Sequence, residues 1–174
     1  MSIDIGILTV RPGFDFSIEA QLAEKSILAT ALRRKVVSIH RRTRKRIETD
    51  YPLFNGYVLA DVGLESLTTA LNIPGVTGFL HGTAGDQPYI LPDEEYARLL
   101  FRERTGVYND ISSDIFTVGD RVIFDFLTGE TRGIISKVRG SDCEVTAEIS
   151  GKKTTITLSS AMLRAVQDEL SAAV

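Results

Sequence analysis

Apolar and polar residues alternate in blocks that predict a mixed fold. Residues 3–10 are apolar and β-branched and read as a strand, broken by Arg11-Pro12-Gly13. A helix is predicted from near Ser17, an N-cap residue type, with Ile18 and Leu22 on one side at i, i+4 spacing. Val36, Val37 and Ile39 mark a second strand, and the polar, basic residues 40–50 predict a hairpin tip or loop. Residues 57–62 are apolar on both alternating faces, as in a central strand. Leu64, Leu67 and Leu71 predict a short amphipathic helix that Pro74 and Gly75 stop. Residues 76–80 read as a further strand and residues 82–88 as a loop. Pro92 suits a first helical position, Asp93, Glu94 and Glu95 complement the positive helix end, and Tyr96, Leu99 and Leu100 form the expected buried stripe. The order β-α-β-β-α-β-α is an α+β arrangement in which helices flank an antiparallel sheet.

The pattern changes after residue 107. Residues 108–116 are polar without periodicity and predict a linker. Residues 118–158 hold short strands at 121–124, 133–135, 144–149 and 154–158. Turns are expected at Thr128-Gly129, Gly140-Ser141-Asp142 and Ser150-Gly151-Lys152. Short strands at this even spacing predict a small all-β barrel, with Gly133 allowing a close turn in it. The tail from residue 160 to 173 reads as helical. The expected domains are therefore residues 1–107, a linker at 108–116, a barrel at 117–166 and a tail at 167–174.

Composition narrows the class. With 43% hydrophobic and 25% charged residues, the 174-residue chain has the makeup of a globular protein. No apolar run approaches a membrane span, and the first residues lack a signal-peptide pattern, so a cytoplasmic location is expected. Cys143 is the only cysteine, which excludes an internal disulfide. The formal charge is −3, but its distribution matters more. Residues 33–46 hold eight Lys or Arg and no acid. Uncompensated positive charge on a protruding hairpin suits contact with phosphates, against the alternative of a merely solvated face.

Two motifs carry a resemblance. Pro52-Leu53-Phe54-Asn55-Gly56-Tyr57-Val58-Leu59 is followed by Ile73-Pro74-Gly75-Val76-Thr77-Gly78-Phe79-Leu80. In this order they resemble the N-terminal domain of NusG-type transcription elongation factors. Gly119-Asp120-Arg121-Val122, Gly133-Ile134-Ile135 and Ile149-Ser150-Gly151-Lys152-Lys153 then resemble the KOW module that follows it in the family. The chain departs from the family at Ile5-Gly6, where a Trp-Tyr pair is common, and at Asn55, where Pro is usual. It looks like a divergent paralogue.

The resemblance implies a transcription elongation or antitermination factor that binds RNA polymerase, suppresses pausing and raises processivity. It implies that Phe54, with Pro52, Leu53 and Tyr57, forms an exposed apolar patch for the clamp helices of the largest polymerase subunit. Ser66, Thr68 and Thr69 correspond to a polar cluster that can reach the gate loop of the second subunit; the alternative is ordinary helix surface. Arg41, Arg42, Arg44, Lys45 and Arg46 would face upstream duplex or non-template DNA. Thr131, Ile149, Ser150 and Lys152 fall where the KOW module meets its partner, a ribosomal protein or another factor. Thr131 and Ser150 replace aromatics usual there, which argues against the termination factor Rho and toward antitermination. The strand content of 121–158 favours a stable barrel over a two-helix alternative.

Catalysis has little support. His40, His81 and Cys143 are scattered without metal-ligand spacing, and no nucleophile or phosphate-binding motif occurs. No enzyme activity, cofactor or metal is expected. The alternative function is a KOW-containing ribosome- or RNA-binding protein, because ribosomal proteins also use KOW barrels.

Overall fold

A computed structural model describes residues 3–40, 42–83, 85–109, 116–140 and 142–166, without the side chains of 37–39. The chain divides into two compact units, Met1–Asp110 and Ile111–Val174.

In the first unit, β1 (Ile5–Val10) lies at the centre of an antiparallel sheet. Helix α1 (Asp15–Glu24) follows, then the short β2 (Ala29–Thr30), β3 (Arg33–Ile39), β4 (Arg46–Pro52) and β5 (Tyr57–Asp61). Helix α2 (Leu64–Leu71), β6 (Val76–Phe79) and α3 (Asp93–Arg104) complete it. The sheet order is β2-β5-β1-β6, while β3 and β4 form a separate two-stranded hairpin.

Alternation along β1 and β5 splits the core into two layers. Leu8 faces Val58 and Gly6 faces Ala60 across the strands. With Val10 and Val62, these positions form a cluster with Ile18 and Leu22 of α1 and Ala70 and Ile73 of the α2 region. On the alternate positions, Ile5, Ile7 and Leu59 are also buried. Helix α3 buries Leu99, carries three acids in its first turn and has Arg102 and Arg104 in its last, in keeping with its dipole.

Several expectations shift. Helix α1 starts at Asp15, not Ser17, and its cap position is Phe14. In α2 the buried stripe is rotated: Leu64 is 85% exposed and Leu71 42%, whereas Ala70 is sealed. Ala70 and Ile73 face the sheet with Leu67 packed against them, and Leu64 and Leu71 fall on the outward side of the helix. Of α3's expected stripe, Tyr96 and Leu100 are only half-buried. Residues 46–50, expected in a loop, are strand, paired from Ile39↔Arg46 to Arg33↔Pro52.

The first unit also extends beyond residue 107. Tyr108 is buried, and the Asn109 side-chain oxygen accepts the Lys35 backbone N–H at 2.8 Å. Glu103 accepts the Arg33 N–H at 2.7 Å. The end of α3 thus closes part of the outer edge of β3, which would otherwise present unpaired donors. Of the rest of the expected linker, residues 110–115 lie outside the described residues and Phe116 is buried.

The second unit is a five-stranded antiparallel sheet. Its strands are β7 (Arg121–Phe126), β8 (Gly129–Arg139), β9 (Asp142–Ile149), β10 (Lys152–Ser159) and β11 (Arg164–Ala165), in the order β10-β9-β8-β7-β11. Val122, Phe124 and Phe126 of β7 pack inward with Val145, Ile156 and Leu158. Ser150 (φ 50°) and Gly151 (φ 75°) supply the two left-handed residues of a tight hairpin turn. Gly133 sits inside β8 rather than at a turn. A β-carbon there would lie 2.4 Å from Val145 Cγ1 and 2.9 Å from the Thr146 carbonyl oxygen, so glycine serves close strand approach. The start of the expected helical tail is instead a 3-10 turn, Ser160–Met162, followed by β11, because Leu163 is drawn into the barrel core. Residues 167–174 lie outside the described residues.

Candidate functional site

The turn between β4 and β5 is pinned from four sides. The Leu53 N–H donates to the Leu32 carbonyl at 2.7 Å, and the Tyr57 N–H donates to the Phe54 carbonyl at 3.1 Å. The Gly56 carbonyl accepts from Val10 N–H at 2.9 Å. Gly56 has φ +94°, a left-handed conformation that glycine adopts at no steric cost.

The fourth pin is Asp15, which sequence reasoning missed. Its carboxylate accepts the Gly56 N–H at 2.7 Å and the Gly13 N–H at 3.2 Å, and Gly13 also donates to Asn55 Oδ1 at 2.9 Å. Asp15 is 1% exposed. Burial raises its pKa above the usual 3.8, although the backbone N–H bonds pull the other way. The only signal in the sequence was an acid two residues after Pro12-Gly13.

This geometry corrects the expectation for Phe54. The side chain is 2% exposed and Leu53 is 1% exposed. The physical cause is the pinned turn, which folds both side chains into their own unit. Neither is a surface anchor. Pro52 and Tyr57 are half-buried, and burial raises the Tyr57 pKa. Two aromatics that sequence reasoning did not select are more open: Phe14 at 42%, with the Arg11 guanidinium 5.7 Å from its ring centre, and Tyr51 at 46%, with that of Arg34 at the same distance.

The three α2 hydroxyls lie elsewhere. Ser66 donates to Asp61 Oδ2 at 2.8 Å, and Thr68 donates to the Leu64 carbonyl at 2.8 Å. Thr69 lines a cavity of about 420 Å³ with Gln21, Lys25 and Ile73. Helix α2 belongs to the helical layer, whereas Tyr57 pairs with Thr9 on the opposite face of the sheet. The expected set is therefore two surfaces.

The basic run also divides. Arg33 bonds Glu19, with Nη1 to Oε1 at 3.1 Å, and its guanidinium lies 4.5 Å from the Phe16 ring centre. The Glu19 hydrogen bond is the main cause that pushes the Arg33 pKa up. Arg34 is buried. These two arginines are structural. Beyond them the hairpin closes with His40 N–H donating to the Lys45 carbonyl at 2.9 Å and Arg44 N–H donating to the His40 carbonyl at 2.8 Å. Arg42, Arg44, Lys45 and Arg46 are all exposed at this end. Arg46 is 3.8 Å from Glu48, an exposed pair of small energetic weight. Arg41 lies outside the described residues.

In the second unit, Ile149 is 3% exposed because β9 turns Cys143, Val145, Ala147 and Ile149 inward together. It is unavailable to a partner, contrary to expectation. Thr131 is half-buried and donates to the Gly129 carbonyl at 3.2 Å, while Ser150 and Lys152 are exposed. Cys143 is 1% exposed and burial raises its pKa, the reverse of an activated thiolate. The His81 ring lies 4.7 Å from that of Phe79. Among the described residues, no cluster of three potential metal ligands occurs, and no helix is long and apolar enough to cross a membrane.

The described residues thus form an α+β unit with an exposed cationic hairpin and a small β unit. Residues 7–100 match the family model described as NusG, transcription termination factor nusG, and the chain belongs to that family. No curated protein matches it. Among solved structures, Thermotoga maritima NusG, studied for its domain interaction, is 22% identical; the match covers 96% of this chain and 99% of that one, with a TM-score of 0.42. The MjSpt4:Spt5 complex in conformation A is 15% identical, covering 93% of this chain and 97% of that one, with a TM-score of 0.33. Conformation B is 19% identical, with coverages of 93% and 96% and a TM-score of 0.32.

Proposed function

We propose that this NusG-family protein is a transcription elongation and antitermination factor whose first unit rides on RNA polymerase while its hairpin tip lies against DNA phosphates. The observation that carries this reading is the isolated cation cluster. Arg42, Arg44, Lys45 and Arg46 are exposed, and residues 33–46 contain no acid. Such a tip supplies sequence-independent contacts to upstream duplex or non-template DNA. With Phe54 and Leu53 sealed, the apolar part of the clamp contact falls to Tyr57, Pro52 and the exposed Phe14. Thr68 and Thr69 of α2 are the gate-loop side of the same proposal. Binding one polymerase state more tightly than another suppresses pausing without covalent chemistry.

The second unit, read as a KOW module, recruits a further factor; the absence of aromatics at Thr131 and Ser150 argues against Rho.

The test replaces Arg42, Arg44, Lys45 and Arg46 with Gln and measures binding to a reconstituted elongation complex across a salt series. The slope of log affinity against log salt should fall by about 0.7–0.9 for each phosphate contact removed. An unchanged slope removes the hairpin from the DNA contact.

A further inference from the structure

We propose that the outer face of β7 to β10 is a docking groove for an acidic protein segment that carries an apolar anchor. This proposal does not depend on the polymerase reading. Successive side chains of a strand point to opposite faces of its sheet. Ile135 of β8 points into the core at 1% exposure, so Ile134 points outward and is 51% exposed. It sits in register between Arg121 of β7 and Thr146 of β9. A cavity of about 460 Å³ lies here, lined among others by Arg121, Arg132, Ile134, Glu148, Lys153 and Val166. A second, of about 540 Å³, shares Ile134, Thr146 and Lys153 and continues to Ser136 and Thr155. The depression therefore crosses four strands, β7 to β10, a shape that suits an extended chain. Thr131, Ile149, Ser150 and Lys152 line neither cavity, so the groove is separate from the β9–β10 turn.

Charge decides the occupant. Residues 108–174 carry seven bases and ten acids, a net −3. Several of those acids are already engaged away from the groove. Arg164 holds Asp125 at 3.5 Å and Glu130 at 3.3 Å, and Arg139 holds Glu144 at 3.2 Å. Asp120 accepts the Thr117 N–H at 2.7 Å. Among the described residues, the groove has three cations, Arg121, Arg132 and Lys153, against one carboxylate, Glu148, which faces Lys153 across β9 and β10. It is locally positive in an acidic unit. Among the described residues its lining includes no aromatic side chain, the stacking platform of a single-strand nucleic-acid site. Ile134 and Val166 offer an apolar floor instead. An aliphatic side chain on that floor, flanked by carboxylates that reach the arginines, satisfies both features through charge-assisted hydrogen bonds and a small apolar contact.

The full-length ¹⁵N-labelled protein is titrated with a short synthetic peptide alternating Glu and Leu, and separately with a Gln/Leu peptide and an oligothymidylate. The Glu/Leu peptide should move the amide signals of Arg132, Ile134, Thr146 and Lys153. Its affinity should fall about tenfold in Ile134→Ser and in the Arg132→Gln, Lys153→Gln double variant, and the Gln/Leu peptide should bind about tenfold more weakly. The double variant changes only exposed side chains, so it keeps the test valid if Ile134→Ser unfolds. Failure of the Glu/Leu peptide to bind, equal binding by the Gln/Leu peptide, or unchanged affinity in the double variant overturns the proposal. Tighter binding of oligothymidylate at the same amides makes the face a nucleic-acid site and overturns it equally.

Discussion

The β4–β5 turn and the β3–β4 tip are both short connections between strands, yet one is sealed and the other open. At residues 53–56 one bond, Tyr57 N–H to the Phe54 carbonyl, closes the turn, but the Leu53 and Gly56 backbone groups reach out to Leu32, Val10 and Asp15, and the side chains of Leu53 and Phe54 are buried. At residues 40–45 the hydrogen bonds close within the hairpin itself, and Arg42, Arg44 and Lys45 stay exposed. Turn-forming residues do not by themselves place a neighbouring aromatic on the surface. What decides is whether the turn bonds to itself or to the rest of its unit.

The sharpest way to break this contrast is Phe54→Ala. Removing a fully buried aromatic leaves a cavity and should cost about 3–5 kcal/mol. Urea denaturation followed by circular dichroism should show a large fall in the midpoint. A variant of wild-type stability would mean that Phe54 is a surface residue, and that the turn and the tip are alike after all.

Asp15→Ala tests the pin rather than the plug. It strips the acceptor from Gly56 N–H and Gly13 N–H and should cost about 1–3 kcal/mol. The pH dependence has a definite sign. Because the folded pKa of Asp15 is raised above 3.8, the native state holds the proton more tightly than the unfolded chain. Its contribution is fully present below 3.8 and is lost as pH rises through the raised folded value. The stability of wild type relative to Asp15→Asn should therefore decline across that window. A difference that grows with pH would show that the N–H bonds outweigh burial.

Strands β1, β3, β5 and β6 of the first unit and β7 to β10 of the second were legible, though not β2, β4 or β11, because alternation and turn residues are local signals. The β9–β10 hairpin falls where Ser150 and Gly151 predicted it, and the central strand of residues 57–61 is buried as its apolar faces implied. What failed depended on tertiary fit. Three leucines at helical spacing defined α2, but the packing chose Leu67 and Ala70 over Leu64, which no periodicity could foretell. The basic run was visible as composition, yet Arg33 is claimed by Glu19, a residue fourteen positions earlier in the chain. Asp15 was hidden for the same reason: its partner Gly56 is 41 residues away. The groove around Ile134 needs four strands, β7 to β10, in register before its cations meet.

The smallest expected effect sharpens the comparison from the other side. The Gln replacements at Arg42, Arg44, Lys45 and Arg46 remove four exposed charges, of which, among the described residues, only Arg46 forms an ion pair, with Glu48 at 3.8 Å. Exposed substitutions of this kind alter stability by no more than about 0.5 kcal/mol each, and relief of mutual repulsion offsets part of any loss. The urea midpoint should hardly move, even as the salt slope of DNA-dependent binding falls. By contrast, Arg33→Gln breaks the bond to Glu19 and the stacking on Phe16, so it should lower the midpoint while leaving the salt slope unchanged. If the four-fold variant lost stability as Arg33→Gln does, the tip would be part of the fold's support, and the open connection would be no freer than the sealed one.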